Sequence, residues 1–375
     1  MMTSPGLGIR LLAFNPARLL AAFAGIAVAV VIMFVELGLL VGVLDSQAIM
    51  ADLVRGDLVM MSRGRTNLHK FNDFDRIRLS QIAGLSGVGE IIPIYQGTAG
   101  LESPEDEVIR RIMVVSFPAG HTPLAIGDED EIARQLATPR TILYDRRSRP
   151  IFGNIVVGED VELDGALYRV GGFVDIGPDI VNDGAVVMSE GAWLMRRPNA
   201  RPIMGVIRLL AGADVAQVRE RIVAALPDDV SVLTPVEVRD REVAFTLSSA
   251  PIGVLFGIGM LAGLIIGAIT CYQILFNEIV DRMKQYAMLK AMGFSDAFLR
   301  RVILAQAVLL SCGGFVLGLG LAYSVYAYIA KKTALAVQLS LTSGGIIFAL
   351  AAGMSIAAGL LAVRRVCIAD PAELY

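Results

Sequence analysis

The chain has 375 residues, of which 55% are hydrophobic and 18% charged, and its formal net charge is −3. So large an apolar fraction is unusual for a soluble globular protein. It is concentrated here in a few long runs, which predicts a membrane protein with one sizeable soluble part. The near-neutral charge balance provides no basic patch and argues against nucleic acid as a partner.

Histidine and cysteine, two residue types that commonly bind transition metals, are scarce in this sequence. The two histidines, His69 and His121, form no His/Cys cluster at metal-ligand spacing. The sequence has no Gly-x-x-x-x-Gly-Lys-Ser/Thr motif, so the chain does not bind nucleotide phosphates in the P-loop manner. Acidic groups at 128–131 and 159–162 are interpreted as solvated faces rather than catalytic pairs. We therefore predict that the chain is not an enzyme and has no catalytic residue, metal site or cofactor of its own.

The N-terminal part of the sequence indicates where the chain first enters the membrane. Residues 1–17 suggest a cytoplasmic amphipathic segment on the membrane surface, and Asn15-Pro16 is typical of a helix start. Transmembrane helix 1 is predicted over 18–44, long enough to cross ~30 Å of hydrocarbon. Glu36 is the only charged residue well inside it. Because a carboxylate in the bilayer is costly, Glu36 is either a gate or proton site, or a polar residue packed against a partner subunit.

Residues 45–249 have short apolar runs and frequent charges, which predict a soluble α+β domain. Its first part, 45–89, is predicted to be mainly helical. Alternation between Val156 and Val174, around the turn Asp164-Gly165, predicts an antiparallel hairpin. Other strands are predicted at 90–98, 108–117, 141–144, 185–188, 203–210 and 230–234, and helices at 128–136 and 215–226. All three cysteines lie outside this domain, so it has no disulfide framework: Cys271, Cys312 and Cys367.

Three later apolar runs predict transmembrane helices 2, 3 and 4 over 250–276, 302–330 and 342–363. A short periplasmic loop at 331–341 and a cytoplasmic tail at 364–375 complete the chain. The fold class is thus four transmembrane α-helices plus a large extracytoplasmic α+β domain inserted between helix 1 and helix 2. Small residues spaced by four let helices approach closely, either at a dimer seam or within one subunit. Helices 2 and 3 carry such glycines: Gly253, Gly257, Gly259, Gly263, Gly267, Gly314 and Gly318.

Residues 277–301 separate two of these runs and are rich in charge. Apolar residues at helical spacing predict an amphipathic helix, with Gly293 at the position where a helix ends in a left-handed residue. Ser295 is a good N-cap for the helix that follows. Basic residues of the short loops concentrate in this segment and near both termini. Both termini and 277–301 are therefore predicted to be cytoplasmic, and 45–249 to lie outside the cytoplasm.

Several segments resemble a known family of permeases. The sharpest is QYAMLKAMGF at 285–294, supported by DLVMMS at 57–62, VGEDVELDGALYRVGGFV at 157–174 and DPAEL at 370–374. With one helix, an external domain and three more helices, the chain resembles the permeases related to MacB and FtsX, and among these the DevC type. It departs from many relatives in having Gln285 in place of Glu, and Glu36 in place of a polar amide.

The resemblance implies a type VII, mechanotransmission ABC half-transporter in a bacterial inner membrane, in contact with membrane lipid. A homodimer would associate with a separate P-loop ABC ATPase that binds ATP and Mg²⁺. The external domain would engage a membrane-fusion-type periplasmic adaptor and, through it, an outer-membrane channel. Segment 277–301 would be the coupling helix. Its ATPase contacts would be an apolar face with a polar rim: Arg282, Lys284, Gln285, Tyr286, Leu289, Lys290, Met292, Gly293 and Phe294.

Two other functions are compatible with the sequence. One is an FtsX-like transducer that activates a periplasmic cell-wall hydrolase without transporting a substrate. The other is a scaffold without a motor, in which 277–301 is a solvated loop. The size of the 45–249 domain and its hairpin favour the exporter, because a minimal transducer domain would be shorter.

Overall fold

The computed structural model describes residues 16–65, 72–249, 251–333 and 339–368. Residues 1–15 of the predicted amphipathic segment, 334–338 of the predicted short loop and 369–375 of the predicted tail lie outside the described residues. The chain divides into two compact units. The helical unit comprises Met1–Val41, Ile252–Lys331 and Val337–Tyr375, and the sheet unit comprises Gly42–Pro251 and Lys332–Ala336.

The elements follow one another along the chain as a long helix, a mixed α/β region and four further helices. In order they are α1 (Pro16–Asp52), β1 (Leu58–Ser62), α2 (Ile77–Ile82), β2 (Val88–Glu102), β3 (Ile109–Phe117), α3 (Glu129–Leu136), β4 (Thr141–Asp145), β5 (Asp160–Leu163), β6 (Ala166–Val174), β7 (Ala185–Ser189), α4 (Glu190–Arg196), β8 (Met204–Leu209), α5 (Val215–Ala225), β9 (Val230–Leu233), α6 (Pro235–Ser249), α7 (Ile252–Asp281), α8 (Met283–Ala291), α9 (Asp296–Thr333) and α10 (Leu341–Ile368).

Four of these helices, α1, α7, α9 and α10, are long and apolar enough to span a membrane. With the α+β region between the first two of them, the predicted fold class is confirmed. The helices run past the predicted spans, because α1 continues to Asp52 and α7 to Asp281. Their polar ends lack Gly and Pro, so nothing there interrupts the backbone hydrogen-bond ladder.

One half of the sheet unit is a four-stranded sheet in the order β2-β8-β1-β9. Successive neighbours pair antiparallel, with Val59 opposite both Val206 and Leu233. Helix α2 joins β1 to β2 and α5 joins β8 to β9, which gives the ferredoxin-like β-α-β-β-α-β arrangement. Both helices pack on one face of this sheet, over a core that includes Leu79, Ile207 and Ile222.

The other half is a six-stranded barrel formed by β2 together with β3 to β7, the strands that lie between β2 and β8 in the sequence. Its strands follow the order β3-β7-β4-β6-β5-β2, and β2 pairs again with β3. Closure depends on the pair Leu101–Leu163 between β2 and β5. Tyr95, Phe152 and Trp193 are among the side chains of the barrel core. The 15-residue strand β2 serves both halves, since its first part pairs with β8 and its second part with β3.

The predicted hairpin is confirmed as β5 and β6, which are joined by Asp164-Gly165. Both turn residues have positive φ, 50° and 77°, as a two-residue type I′ turn requires. The prediction of helix over 45–89 is wrong at β1. All five residues of that strand are buried, and the first four, Leu58–Met61, form a continuous apolar run without the alternation that would reveal a strand.

Candidate coupling site

The segment between α7 and α9 folds as a short helix with a defined end. Gly293 has a φ of +89°, which confirms the predicted left-handed stop. The Phe294 N–H donates to Leu289 O at 3.1 Å and the Gly293 N–H to Lys290 O at 2.9 Å. The Ser295 hydroxyl accepts from the Phe298 N–H at 3.4 Å, so the predicted N-cap of α9 is also present.

The charged part of this segment is divided between two helices. A single amphipathic helix was predicted from Asn277 onward, but 277–281 continue α7, and the helical dihedrals break at Arg282 (φ −110°, ψ 15°). Only Met283–Ala291 form the separate helix α8. The amphipathic pattern missed this break because Arg282 interrupts neither the charge pattern nor the apolar spacing.

A group of buried polar side chains, the junction cluster, connects α7, α8 and α9. It consists of Glu278, Arg282, Tyr286 and Gln306. The Arg282 guanidinium donates to the Glu278 carboxylate, and both side chains are largely buried. Tyr286 is 2% exposed and Gln306 0% exposed. Burial, together with the charge of Glu278, raises the pKa of Tyr286 to about 12, so the phenol stays protonated.

This burial changes the predicted set of ATPase contacts. Tyr286 was predicted on the face that meets the ATPase, but its ring points into the helical unit and leaves almost no surface for a partner. Arg282 was predicted at the polar rim, and its guanidinium is instead paired with Glu278. Nζ of Lys290 lies 3.3 Å from Oδ1 of Asp296, and 22% of the Lys290 side chain is exposed. These three residues position α8 rather than present a free surface.

The exposed surface of α8 and its turn is apolar with a polar edge. Met292 is 62% and Phe294 42% exposed, and Lys284 and Gln285 are exposed beside them. Met288, which the sequence prediction left out of the contact set, is exposed as well, whereas Leu289 is half-buried. We define the coupling face as Lys284, Gln285, Met288, Met292 and Phe294. The rings of Phe294 and Phe298 contact each other in a tilted arrangement, with centroids 4.8 Å apart.

The predicted glycines of α7 mostly pack within one chain. A methyl group on Gly259 would lie 2.3 Å from the Glu36 carboxyl group, and one on Gly263 3.1 Å from Met33, both in α1. At Gly267 it would meet the sulfur of Met354 in α10 at 2.5 Å. Gly253 is half-buried, and Gly257 faces open space.

Helix α9 approaches α1 through the other two predicted glycines. A methyl group on Gly314 would lie 2.5 Å from Ile26, and one on Gly318 2.6 Å from Val30. Helix α1 thus packs against α7 at some residues and against α9 at others, which explains why Ile26, Val30 and Met33 are fully buried. For these glycines the structure favours packing within one subunit, the second of the two predicted alternatives.

The intramembrane Glu36 is half-buried, with its carboxyl group against Gly259 of α7. Helix α9 reaches the same stretch of α1, where the Tyr326 hydroxyl donates to the carbonyl of Phe34. Neither a proton site nor a contact with a partner subunit follows from this position. Among the residues that the structure describes, no group of three or more His, Cys, Asp or Glu could hold a metal ion.

Comparison with known protein families gives a match for the C-terminal part of the chain. Residues 257–371 match the family model FtsX, described as FtsX-like permease C-terminal. None of the curated proteins matches the chain.

Two solved structures overlap with about half of the chain. The periplasmic region of MacB from Actinobacillus actinomycetemcomitans has a TM-score of 0.38 at 8% identity, and the overlap covers 50% of this chain and 92% of that one. The extracellular domain of the noncanonic ABC-type transporter YknZ from Gram-positive bacteria has a TM-score of 0.34 at 11% identity, with 48% and 99% covered. The family assignment therefore covers only part of the chain: residues 257–371, which begin within α7 and include α8 to α10, are similar to the C-terminal part of FtsX-like permeases.

Proposed function

We propose that this chain is the permease subunit of an ATP-driven tripartite ABC exporter of the DevC type. It would transmit motion from a separate cytoplasmic ATPase to its external domain and so drive export through an adaptor and an outer-membrane channel. The observation that carries the proposal is the coupling face: an exposed apolar surface on a short helix that is anchored by buried polar side chains.

Because α8 is anchored in this way, its displacement would be transmitted to other helices. Because Tyr286 is buried beside Gln306 of α9, and Arg282 is paired with Glu278 of α7, displacement of α8 has to move one or both of the long helices. Met288, Met292 and Phe294 offer flexible and aromatic contact area, which is typical of protein interfaces. ATP and Mg²⁺ would be bound by the partner, since this sequence has no P-loop.

Two helices connect the membrane spans to the sheet unit and are tied together within it. The Arg239 guanidinium in α6 donates to Asp45 at 2.7 Å and lies 3.0 Å from Asp52, both at the C-terminal end of α1. We therefore expect α1 and α6 to move together where they join the sheet unit. In this proposal both termini and the coupling face are cytoplasmic, and the sheet unit is periplasmic, where it would meet the adaptor.

The exposed side of α7 supports a homodimer in the lipid bilayer. Its outward side chains are apolar over several turns and include Val254, Leu255, Ile258, Leu261 and Ile265. Gly257 lies in the same region with open space above it, where a second helix could approach closely. We propose that two copies meet along this surface and bind two ATPase subunits.

A charged residue placed in the apolar part of the coupling face tests the proposal. In Met292→Asp we expect loss of the ATPase from detergent-purified complexes and loss of ATP-driven export, with normal membrane insertion. The matched control is Met195→Asp, since Met195 is also highly exposed but lies in the sheet unit. An ATPase that co-purifies and supports export equally well with both variants would contradict the coupling role.

The FtsX-like match gives a second candidate specific support. In an FtsX-like transducer, the same coupling face would relay ATP hydrolysis to an external cell-wall hydrolase, and no substrate would cross. Purification in mild detergent with mass spectrometry separates the two. An adaptor recovered with the ATPase favours the exporter, whereas a hydrolase in its place favours the transducer.

A further inference from the structure

A loop of the sheet unit is held rigidly yet presents two aliphatic side chains to solvent. We call residues 175–184 the finger loop. Its first part is fixed by Asp145, a fully buried residue whose carboxylate accepts from the Ile176 N–H at 3.0 Å and the Gly177 N–H at 2.8 Å. The Asp175 N–H donates to Ile126 O at 3.0 Å. Both contacts hold the start of the loop against the domain.

The tip is fixed by hydrogen bonds of the same kind. The Asp179 side chain, only 3% exposed as a residue, accepts from the Val181 and Asn182 N–H groups, each at 2.6 Å. The end of the loop is closed by the Arg149–Asp183 ion pair. Despite this, Ile180 is 48% and Val181 50% exposed. Ordering a loop costs conformational entropy. Because Ile180 and Val181 stay about half exposed, burial of their side chains does not offset that cost.

Two cations flank the finger loop. Arg146 and Arg147 follow β4 directly, and both are exposed. A methyl group built on Gly177 would lie 3.2 Å from Cζ of Arg147, so this guanidinium lies over the start of the loop. Arg146 lies over the ring of Phe173. Among the ion pairs found in the described residues, none includes Arg146 or Arg147, whereas Arg149 nearby is paired. The surface therefore combines an apolar tip with two exposed arginines, of which Arg147 also interacts with the charge of the buried Asp145 carboxylate.

The finger loop is also close to the predicted end of a membrane span. The same methyl on Gly177 would lie 3.2 Å from Cδ1 of Ile49, a residue of α1. Ile49 follows the predicted last membrane residue, Leu44, by a little more than one helical turn, which is a rise of about 7.5 Å. The head-group layer on each side of the hydrocarbon is of similar thickness, roughly 5–7 Å. The start of the loop thus contacts α1 at a residue shortly beyond the predicted end of the span.

We propose that the finger loop is a lipid-contact site. Ile180 and Val181 would enter the boundary between head groups and acyl chains of the outer leaflet, and Arg146 and Arg147 would bind lipid phosphates. An apolar tip beside basic residues is the combination that binds an interface, and it binds anionic lipid more strongly. A protein partner would also bury the tip, but proximity to the end of α1 favours lipid. The proposal requires a membrane-spanning α1 and does not depend on export.

Fluorescence quenching by brominated lipids tests the position of the tip. The full chain with Val181→Trp is reconstituted in phosphatidylcholine vesicles with or without bromine on the acyl chains near the head group. The control is Val223→Trp, because Val223 in α5 has a similar exposure of 54%. The native protein, whose single Trp193 is buried in the barrel, gives the background. We expect bromine-dependent loss of emission for Val181→Trp, and none beyond background for Val223→Trp.

The two arginines are tested in the same assay. With phosphatidylglycerol added to the vesicles, quenching of Val181→Trp should increase, and Arg146→Gln with Arg147→Gln should abolish that increase. Equal quenching of Val181→Trp and Val223→Trp would overturn the lipid contact. An emission change at Val181→Trp that needs an added partner protein, without bromine quenching, would overturn it in favour of protein docking. A phosphatidylglycerol effect that survives the double substitution would overturn the role of the arginines.

Discussion

Two glycines in α9 offer a controlled test of how the membrane helices pack. Gly318 is buried against α1, whereas Gly320 lies two residues further along the same helix, where an added methyl group would have no neighbouring atom within 4 Å. Substitution of either by alanine adds the same methyl group to the same type of backbone. Any difference between the two variants therefore reports on the packing environment alone.

The expected difference follows from the distances. At Gly318 the new methyl would lie 2.6 Å from Cγ1 and 2.7 Å from Cβ of Val30, and 3.1 Å from the carbonyl oxygen of Ala27. Since Cβ and a backbone oxygen do not move with a change of rotamer, α1 and α9 have to separate, at a cost of about 1–3 kcal/mol. At Gly320 no such cost arises, and alanine gains about 0.5–1 kcal/mol of helix stability over glycine. The two variants should therefore differ by roughly 1.5–4 kcal/mol.

The assay is reversible unfolding of the purified chain in mixed micelles, followed by far-UV circular dichroism, with cross-linking to report the dimer fraction. Gly318→Ala should unfold first and keep the native dimer fraction in the folded state, because its contact lies within one chain. Equal stability of Gly318→Ala and Gly320→Ala would refute the packing of α9 on α1. A selective loss of dimer in Gly318→Ala would instead support the alternative in which this glycine lies at a dimer interface.

Further predictions concern the coupling site and the start of α6. Gly293→Ala meets no neighbouring atom but has to adopt a φ of +89°, so we expect a loss of about 1–2 kcal/mol and weakened ATPase coupling, measured as permease-stimulated hydrolysis. Tyr286→Ala should cost about 3–5 kcal/mol because it empties a buried site. Tyr286→Phe, which removes a hydroxyl without a well-formed hydrogen bond, should stay within about 1 kcal/mol of the native stability in the same unfolding assay. At the start of α6, the Glu237 carboxylate accepts from the Thr234 N–H at 2.8 Å and the Thr234 hydroxyl accepts from the Glu237 N–H at 3.2 Å, so Thr234→Ala should cost about 1 kcal/mol. The Thr234 N–H and Arg219 lower the pKa of Glu237, so its stabilising effect is present above the ordinary value of 4.5 and is lost as pH falls below it. Glu237→Gln should remove that part of the pH dependence, and an unchanged acid-unfolding curve would contradict the capping role.

The sequence was sufficient for features that depend on local pattern. Four apolar runs without internal breaks predicted the membrane helices, and the pair Asp164-Gly165 predicted the hairpin turn. Gly293 was recognised as a helix stop because few residues other than glycine adopt a positive φ readily. In each case the physical cause lies within a few residues of the feature.

Features that depend on distant partners could not be predicted in this way. Closure of the barrel depends on Leu101 and Leu163, which are far apart in the sequence, and nothing local specifies their pairing. The inward position of Tyr286 was missed because α8 has apolar residues on more than one side. Only packing against α9 decides that Tyr286 is buried while Met288 and Met292 are exposed. The short helix and its glycine stop could therefore be predicted from the sequence, but the side chains that this helix exposes could not.

The tie between α6 and α1 also matters for how the sheet unit bears load. Strand β1 follows α1 and strand β9 precedes α6, and these strands are neighbours, with Val59 opposite Leu233 at the end nearest both helices. Forces that drew the two helices apart would separate β1 from β9 starting at that end. The hydrogen bonds between the strands would then break one pair at a time, which takes less force than breaking them all at once. Arg239, bound to Asp45 and Asp52, links the two helices ahead of the first pair, so its ion pairs have to break before the strands begin to separate from that end.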